Sequence, residues 1–431
     1  MLPRPKDTLQ SSLFFDLRST LNHRHPLFQL ANKIDWAMFE REFSPLYSPD
    51  KGVEAKPIRL MVGLLILKHI RNVSDESVVE QWSENVYYQY FCGGTEFVAA
   101  QPIDASSLVH FRHRIGEAGF ELILAESIRV NDDVDFDKPQ VVFVDTTVQE
   151  KNITYPTDAK LHKKIVENCR GIAAKSGVTL RQSYARVVKA LNRDIRFNKK
   201  QSKAARRKLK CIAGRLVREL DRELPLESLH REQIDLYKRV LSQTKDSKNK
   251  VYSLHEPSVC CISKGKEHEK WEFGNKVSVA YNEDGLIVGA LSFRNEYDGH
   301  TLLPAIEQVV RLNHRPIKIV PCDRGYKGVS QVLGIPVLIP SNGKGCKSEY
   351  ERKKLKKLFA QRAGIEPING HLKSDHRMGR NFYKGIFGDN INSMLAAAAF
   401  NFKRAMNVLL DYILRWISQL FEQNISIKPQ N

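Results

Sequence analysis

Cysteine is scarce in this chain. There are seven in 431 residues, with no C-x-x-C spacing and one adjacent pair, Cys260-Cys261. The odd count and irregular spacing argue against a disulfide framework and a zinc finger, and fit a reducing cytoplasm. Long apolar runs are missing too. The strongest, Leu60 to Ile70, contains Lys68 and is too short to span a bilayer, so it reads as a buried helix. The start of the chain is polar and lacks the apolar core of a signal peptide. No repeat of fixed period and no low-complexity segment occurs. Acidic residues are also in deficit: 49 Asp and Glu stand against 68 Lys and Arg, for a formal net charge of +19. Such an excess concentrates polyanions around a protein. DNA or RNA is the first candidate partner and an anionic membrane surface the second. The basic segments have no strongly apolar opposite face, which weighs against the membrane.

What is present is an ordinary globular composition, 42% hydrophobic and 27% charged, in a chain long enough for about two to three domains. The positive charge is concentrated. Residues 181–222 carry 15 Lys or Arg against three acids, densest at Arg206-Arg207-Lys208. Residues 347–384 carry 11 against four. Two such blocks suggest two contact surfaces, although a charge run is more often a solvated helix face.

The first 130 or so residues read as helical. Short helices are expected around Pro26–Asn32 and Trp36–Phe43, and a strong one from Lys56-Pro57 to Arg71. Ser74 should cap the next, with Asp75 and Glu76 at its positive start. Asn85–Phe91 follows, and Asp104 looks like a further cap before the helix bearing Phe111, Arg112 and Arg114. Helix–turn–helix docking on DNA and a dimerisation or packing module both fit this region. The pattern then changes. Gln140–Val148 reads as a buried strand. Residues 160–245 resemble a basic helical insertion with little core of its own. Strands at Lys276–Tyr281 and Leu286–Phe293 flank the turn Asn282-Glu283-Asp284-Gly285. A helix Leu302–Leu312, a strand Pro316–Pro321, a short strand Val337–Pro340, a basic helix Glu349–Ala363, a helix starting at Pro367 and a long apolar helix Ile391–Trp416 complete the chain, with Ile425–Asn431 as a tail. The order is strand, helical insertion, strand, strand, helix, strand, helix, strand, helix. That predicts an α/β fold, a sheet flanked by helices of the ribonuclease-H-like kind. The expected division is a helical domain at 1–135, a catalytic domain at 136–410 with its insertion at about 160–250, and a helix end and tail at 411–431.

Three carboxylates stand out. Asp145 closes the run Val141-Val142-Phe143-Val144, and Asp323 closes Ile317-Lys318-Ile319-Val320-Pro321-Cys322. Glu366 lies in Arg362-x3-Glu366-x6-Lys373. Singly, each has a structural explanation: an Asp after a strand caps a turn, and a lone Glu sits on a helix surface. Together, strand-end acids plus one from a later helix suit a pair of divalent ions acting on a phosphodiester. Mg²⁺ prefers carboxylate oxygens. Two ions about 4 Å apart can activate the attacking oxygen and stabilise the leaving one. Arg362 and Lys373 fit phosphate binding beside them. Asp158, Asp298, His300, His371 and Cys322 read as structural residues near this set.

These residues carry a resemblance to the DDE transposases of bacterial insertion sequences, and more closely to the insertion-sequence-five type. The supporting segments run from about residue 15 to 405. They include Trp82-Ser-Glu-Asn-Val-Tyr-Tyr-Gln-Tyr-Phe-Cys-Gly93, Asp104-Ala-Ser-Ser-Leu-Val-His-Phe-Arg-His-Arg114 and the stretch Val144–Asp158. Further on come Ser263–Lys266, Glu272-Phe-Gly274, Asn295–His300, Cys322-Asp-Arg-Gly-Tyr326 and Ile365–Lys373. One position departs: where the family signature places Tyr three residues before the Arg, this chain has Phe359. The resemblance implies an enzyme that binds the terminal inverted repeats of its element, cuts there and joins the ends to target double-stranded DNA. Asp145, Asp323 and Glu366 would be its catalytic metal ligands for two Mg²⁺, with Mn²⁺ able to substitute. Arg362 and Lys373 would hold phosphate, and the helical domain with Arg206, Arg207 and Lys208 would grip end DNA. A homodimer on DNA and a nucleoid-associated place in a bacterial cytoplasm are the matching expectations. Two alternatives stay open: a ribonuclease-H-like nuclease that cuts without joining, and a DNA-binding protein with an idle catalytic core.

Overall fold

The computed structural model describes residues 16–48, 52, 54–131, 135, 137–263, 271–294, 296–313, 315–340 and 348–425, with side chains as far as residue 408. Lys264, Gly265, Lys266, Asn295, Cys346 and the tail beyond Ile425 lie outside the described residues. The chain divides into two compact units, Met1–Gln149 with Lys276–Asn431, and Glu150–Asn275.

The first unit begins with seven helices: α1 Leu17–Thr20, α2 Pro26–Lys33, α3 Trp36–Phe43, α4 Ile58–Ile70, α5 Asp75–Glu84, α6 Val86–Phe91 and α7 Ser106–Arg129. Local capping sets their starts. The Ser74 hydroxyl accepts from the Ser77 N–H, and Asn85 accepts from Tyr87 and Tyr88. Asp104 is displaced by one residue from the expected role. Ala105 is the cap of α7, and the Asp104 carboxylate accepts the Ser106 N–H at 2.7 Å. Helix α4 is buried almost all round, which explains its unbroken apolar run.

The sheet starts with β1, Gln140–Lys151. Both faces of its first half are covered, so the run is continuous rather than alternating. The chain then enters the second unit and returns through β3, Trp271–Asn282. After it come β4 Ile287–Phe293, α12 Asp298–Leu312, β5 Ile317–Pro321, β6 Gln331–Val332, β7 Ile335–Leu338, α13 Glu349–Arg362, α14 Ile365–Asp375, β8 Arg380–Asn381 and α15 Gly385–Ile425. Within this unit the strands lie in the order β4-β3-β1-β5-β7-β6, and β8 also pairs with β1. Strands β1 and β5 are parallel, as are β5 and β7; β3 and β4 form an antiparallel hairpin. One face packs α12 against Val142, Val144, Val320 and Cys322. The other carries a small cluster of Phe143, Tyr281 and Ile365, flanked by Val141, Leu358 and Ile368 of β1, α13 and α14. Long helix α15 packs on α7, α4, α2 and β4, and its Ala396–Ala399 run lets these elements approach closely.

Two expectations fail here for identifiable reasons. No helix separates β5 from the last strand of the ladder. A 3-10 turn at Arg324–Tyr326 and two-residue β6 fill the gap. Gly328 and Gly334 there take φ values of +105° and +75°, which break helical continuity. Helix α14 also begins at Ile365, two residues ahead of Pro367. Proline is tolerated in a first turn because its missing N–H would have no intrahelical partner.

The second unit holds α8 Asp158–Lys175, α9 Ala185–Phe197, α10 Lys199–Glu223, α11 Arg231–Ser242 and β2 Cys260–Ser263, which pairs antiparallel with the first residues of β3. It is helical and basic as expected, but it has its own core. Leu161, Ile165, Cys169, Leu209, Ile212, Leu216, Leu220, Ile234 and Tyr237 are buried together. Each helix is amphipathic, so a polar composition hides a full apolar stripe. Among the described residues no helix is long and apolar enough to cross a membrane.

Candidate active site

Asp145 lies within β1 rather than at its end, because the strand continues to Lys151. Val141 pairs with Ile319 across the parallel ladder to β5. The register shifts between Gln140 and Val141; a regular continuation from Val141, four residues on each side, would bring Asp145 level with Asp323, just past the end of β5. Residues in register on neighbouring strands point to the same face, with the strands about 4.8 Å apart. Both carboxylates are half-buried. The buried Cys322 thiol reports on the pair. Burial pushes its pKa up, Asp323 and Asp145 push the same way, and Arg362 opposes them. Cys322 itself packs with Val142, Val144 and Val320 in the core under α12, and the donors left at this corner are hard carboxylate oxygens.

Arg362 is the last residue of α13, and its guanidinium lies 3.8 Å from the Asp145 carboxylate. Its place is fixed by a residue that sequence reading did not single out. The Tyr281 hydroxyl donates to the carbonyls of Gln361 and Arg362, at 2.6 and 3.2 Å, and so anchors the end of α13. The Tyr281 ring stacks on Phe143 with centroids 4.9 Å apart. Burial pushes the Tyr281 phenol up to about 12, with Arg362 opposing and Asp145 adding. It stays a neutral donor at any working pH.

Asp323 is held by its own turn. Its Oδ1 accepts the Gly325 N–H at 2.8 Å. Fully buried Tyr326 closes the turn, its hydroxyl 2.8 Å from Thr146 Oγ1 next to Asp145. There is no room for a side chain at Gly325. A β-carbon there would stand 2.9 Å from Asp323 Oδ1 and 3.2 Å from Asp298 Oδ2. Asp298, at the start of α12, is therefore a further carboxylate at this end of the sheet. Lys276 binds it at 2.7 Å.

Glu366 sits in the first turn of α14, where the helix dipole favours an acid. Its neighbour Ile365 is buried against Phe143 and Tyr281, which brings the turn to the same face of the sheet. The Glu366 side chain itself is exposed. Among the described residues no group of three or more His, Cys, Asp or Glu side chains is already gathered as a metal-binding cluster. Lys373 lies in the last turn of α14, about two turns from Glu366 and hence on the same side of the helix. Phe359 is half-buried on α13. His371 is paired with Asp375 at 2.9 Å, and exposed His300 meets the Tyr297 ring edge-on. The structure thus brings Asp145, Asp323 and Arg362 together and adds Asp298, Lys276 and Tyr281. Arg206, Arg207 and Lys208 are all exposed on α10 of the second unit, opposite its buried Ala205, Leu209 and Ile212.

Comparisons with known proteins bear on the helical start of the chain and on its stretch from residue 255 onward. Residues 15–114 match the family described as Transposase domain (DUF772), and residues 255–402 match the Transposase DDE domain. The second match contains Asp323, Arg362, Glu366 and Lys373; Asp145 and the basic helix α10 fall outside both. A protein of Rhizobium meliloti described as "Uncharacterized protein ORF8 in nfe locus" is 42% identical over 193 residues, 44% of this chain and 93% of that one. No solved structure gives a significant match.

Proposed function

The chain belongs to the DDE-type transposases of insertion sequences, and from that premise we propose that it binds the terminal inverted repeats of its own element, cuts the DNA there and joins the freed ends to a target. The observation that carries this reading is the register of β1 and β5. Continued past Val141 and Ile319, it would bring Asp145 level with Asp323 just beyond the end of β5, and Arg362 lies beside Asp145. Strand order supports a ribonuclease-H-like core: hairpin β3–β4 on one side of β1, parallel β5 and β7 on the other. The insertion-sequence-five type is the finer assignment.

Asp145 and Asp323, with Glu366 completing the set from α14, would hold two Mg²⁺ or Mn²⁺. The donor set fits, since all three are hard carboxylate oxygens. When bound, the ions supply Lewis-acid stabilisation of the attacking and leaving oxygens. The chain's own groups do the rest. The Tyr281 anchor fixes the backbone from which Arg362 reaches the scissile phosphate. The Gly325 N–H keeps the Asp323 carboxylate oriented, and Lys373 offers a second positive charge along α14. Joining two ends in concert calls for a dimer on DNA. A protein of this kind works beside the nucleoid. Incubating the purified protein with DNA carrying candidate element ends and Mg²⁺, then mapping cut and joined products, tests the reading. Cleavage without joining would reduce it to a nuclease, and neither product would leave a DNA-binding protein with an idle core.

Gly325→Ala should lower cleavage about 10²-fold, because the new methyl displaces the Asp323 carboxylate and misplacements near 1 Å cost that much. The displaced oxygen loses at most the hydrogen bond it accepts from the Gly325 N–H, about 0.5–1.5 kcal/mol, so the protein should stay folded. Full activity in the alanine variant would show that the carboxylate's position is not critical. Exposed Arg206, Arg207 and Lys208 are assigned to DNA phosphates. Changing all three to Gln should reduce the slope of log affinity against log salt by about 3. An unaltered slope would make that face of α10 a solvated surface.

A further inference from the structure

The first unit contains a cavity of about 680 Å³ outside the Asp145–Asp323 corner, lined by residues from α4, α5, α7 and the stretch around β8 and the start of α15. Its wall is built on an imbalance of charge. Lys68 and Arg112 are 3% and 5% exposed, and both depend on one carboxylate, Asp75. Lys68 Nζ reaches Asp75 Oδ1 at 2.8 Å, while Arg112 takes both oxygens at 2.9 and 2.8 Å. Both cations also lie 4.6 Å from the centre of the Tyr383 ring, and Lys68 donates to its hydroxyl at 2.7 Å. Buried charges are normally matched one to one. Here two cations share one anion. Arg377 and Lys384 add two more positive charges to the lining, against Glu76 alone. An anion entering the cavity would meet a field already arranged for it.

The lining also carries further aromatic rings. Phe382 is 58% exposed, with the Arg377 guanidinium 5.4 Å from its ring. Phe387 stacks on His113 at 5.1 Å. A flat, apolar face beside fixed positive charge is what a nucleobase and its phosphate require. The volume lies in the range of small-molecule sites. It is large enough for one nucleotide.

We propose that this cavity receives a single unpaired nucleotide of the bound DNA, with its base on Phe382 and its phosphate toward Arg377 and Lys384. The proposal rests on DNA being the partner, and its test separates the two. The full-length protein is titrated into two duplexes of one sequence carrying fluorescent 2-aminopurine, extrahelical in one and paired in the other. The extrahelical duplex should bind roughly tenfold tighter, with its emission quenched by stacking. Phe382→Ala should remove both the preference and the quenching while leaving affinity for the paired duplex unchanged. Arg377→Gln with Lys384→Gln should weaken the preference and spare the quenching. Equal affinity for the two duplexes, or quenching that survives in Phe382→Ala, overturns the nucleotide site alone. Binding of neither duplex overturns the DNA reading and this proposal with it.

Discussion

Asp323→Ala is expected to lower Mg²⁺-dependent cleavage of element-end DNA by about three orders of magnitude, the rate equivalent of several kcal/mol of metal-assisted charge stabilisation. The folding cost should be small. Asp323 is half-buried, and the substitution removes the hydrogen bond that its carboxylate accepts from the Gly325 N–H, worth about 0.5–1.5 kcal/mol. Affinity for end DNA should be preserved or slightly raised, since a negative charge is removed. Asp323→Asn sharpens the test. It keeps the shape and the turn's hydrogen bond but halves the oxygen donors, and should be nearly as inactive. A folded, DNA-binding Asp323→Ala protein that still cleaves at the original rate would remove Asp323 from the chemistry and take the β1–β5 register argument with it.

The second large effect concerns stability. Asp75→Asn strips the shared anion from Lys68 and Arg112, whose side chains are only 4% and 6% exposed. Leaving buried charge unpaired costs about 3–5 kcal/mol, which chemical denaturation at neutral pH would read as a displaced midpoint. The pH dependence has a definite sign. Burial alone would raise the Asp75 pKa, but the Arg112 hydrogen bonds and the Lys68 charge bring it down to about 2. A carboxylate depressed in the folded state stabilises fully above its ordinary pKa and loses that contribution as pH falls toward 2. The gap between the wild type and Asp75→Asn should therefore be constant near neutrality and narrow below about pH 4. A gap that stays the same down to pH 2.5 would mean that Asp75 is not the counter-ion. Replacing all three charged residues with apolar ones of similar volume should cost far less than Asp75→Asn.

Local chemistry was legible in the sequence wherever it acts over a few residues. The Ser74 cap, the Asn282–Gly285 hairpin and the buried strands that carry Asp145 and lead into Asp323 all follow from neighbours in the chain. The family itself was legible because its motifs are spread in fixed order from Trp82 to Lys373. What depends on distant pairing was not. Nothing within Val141–Thr147 reveals that Val141 faces Ile319, so the alignment of Asp145 with Asp323 waits on the folded ladder. Two-residue β6 and β8 are too short to leave a periodic trace. Tyr281 looks like one more β-branched or aromatic strand residue until α13 is laid over it. Lys68 reads only as an interruption of an apolar helix, because its partners Asp75, Arg112 and Tyr383 come from three other segments. The core of the second unit was missed for the opposite reason. Its helices are so basic that composition outweighs the stripe at Leu209, Ile212 and Leu216.

The second unit departs from β1 and comes back through β3, and these two strands are hydrogen-bonded neighbours. The β1–β5 ladder takes its register at Val141 and Ile319, before the chain leaves. The helices between β1 and β3, from Asp158 to Ser242, are thus a detour spliced between adjacent rungs. None of their residues belongs to the β1–β5 ladder, so an insertion or deletion within them leaves the residues of that pairing untouched.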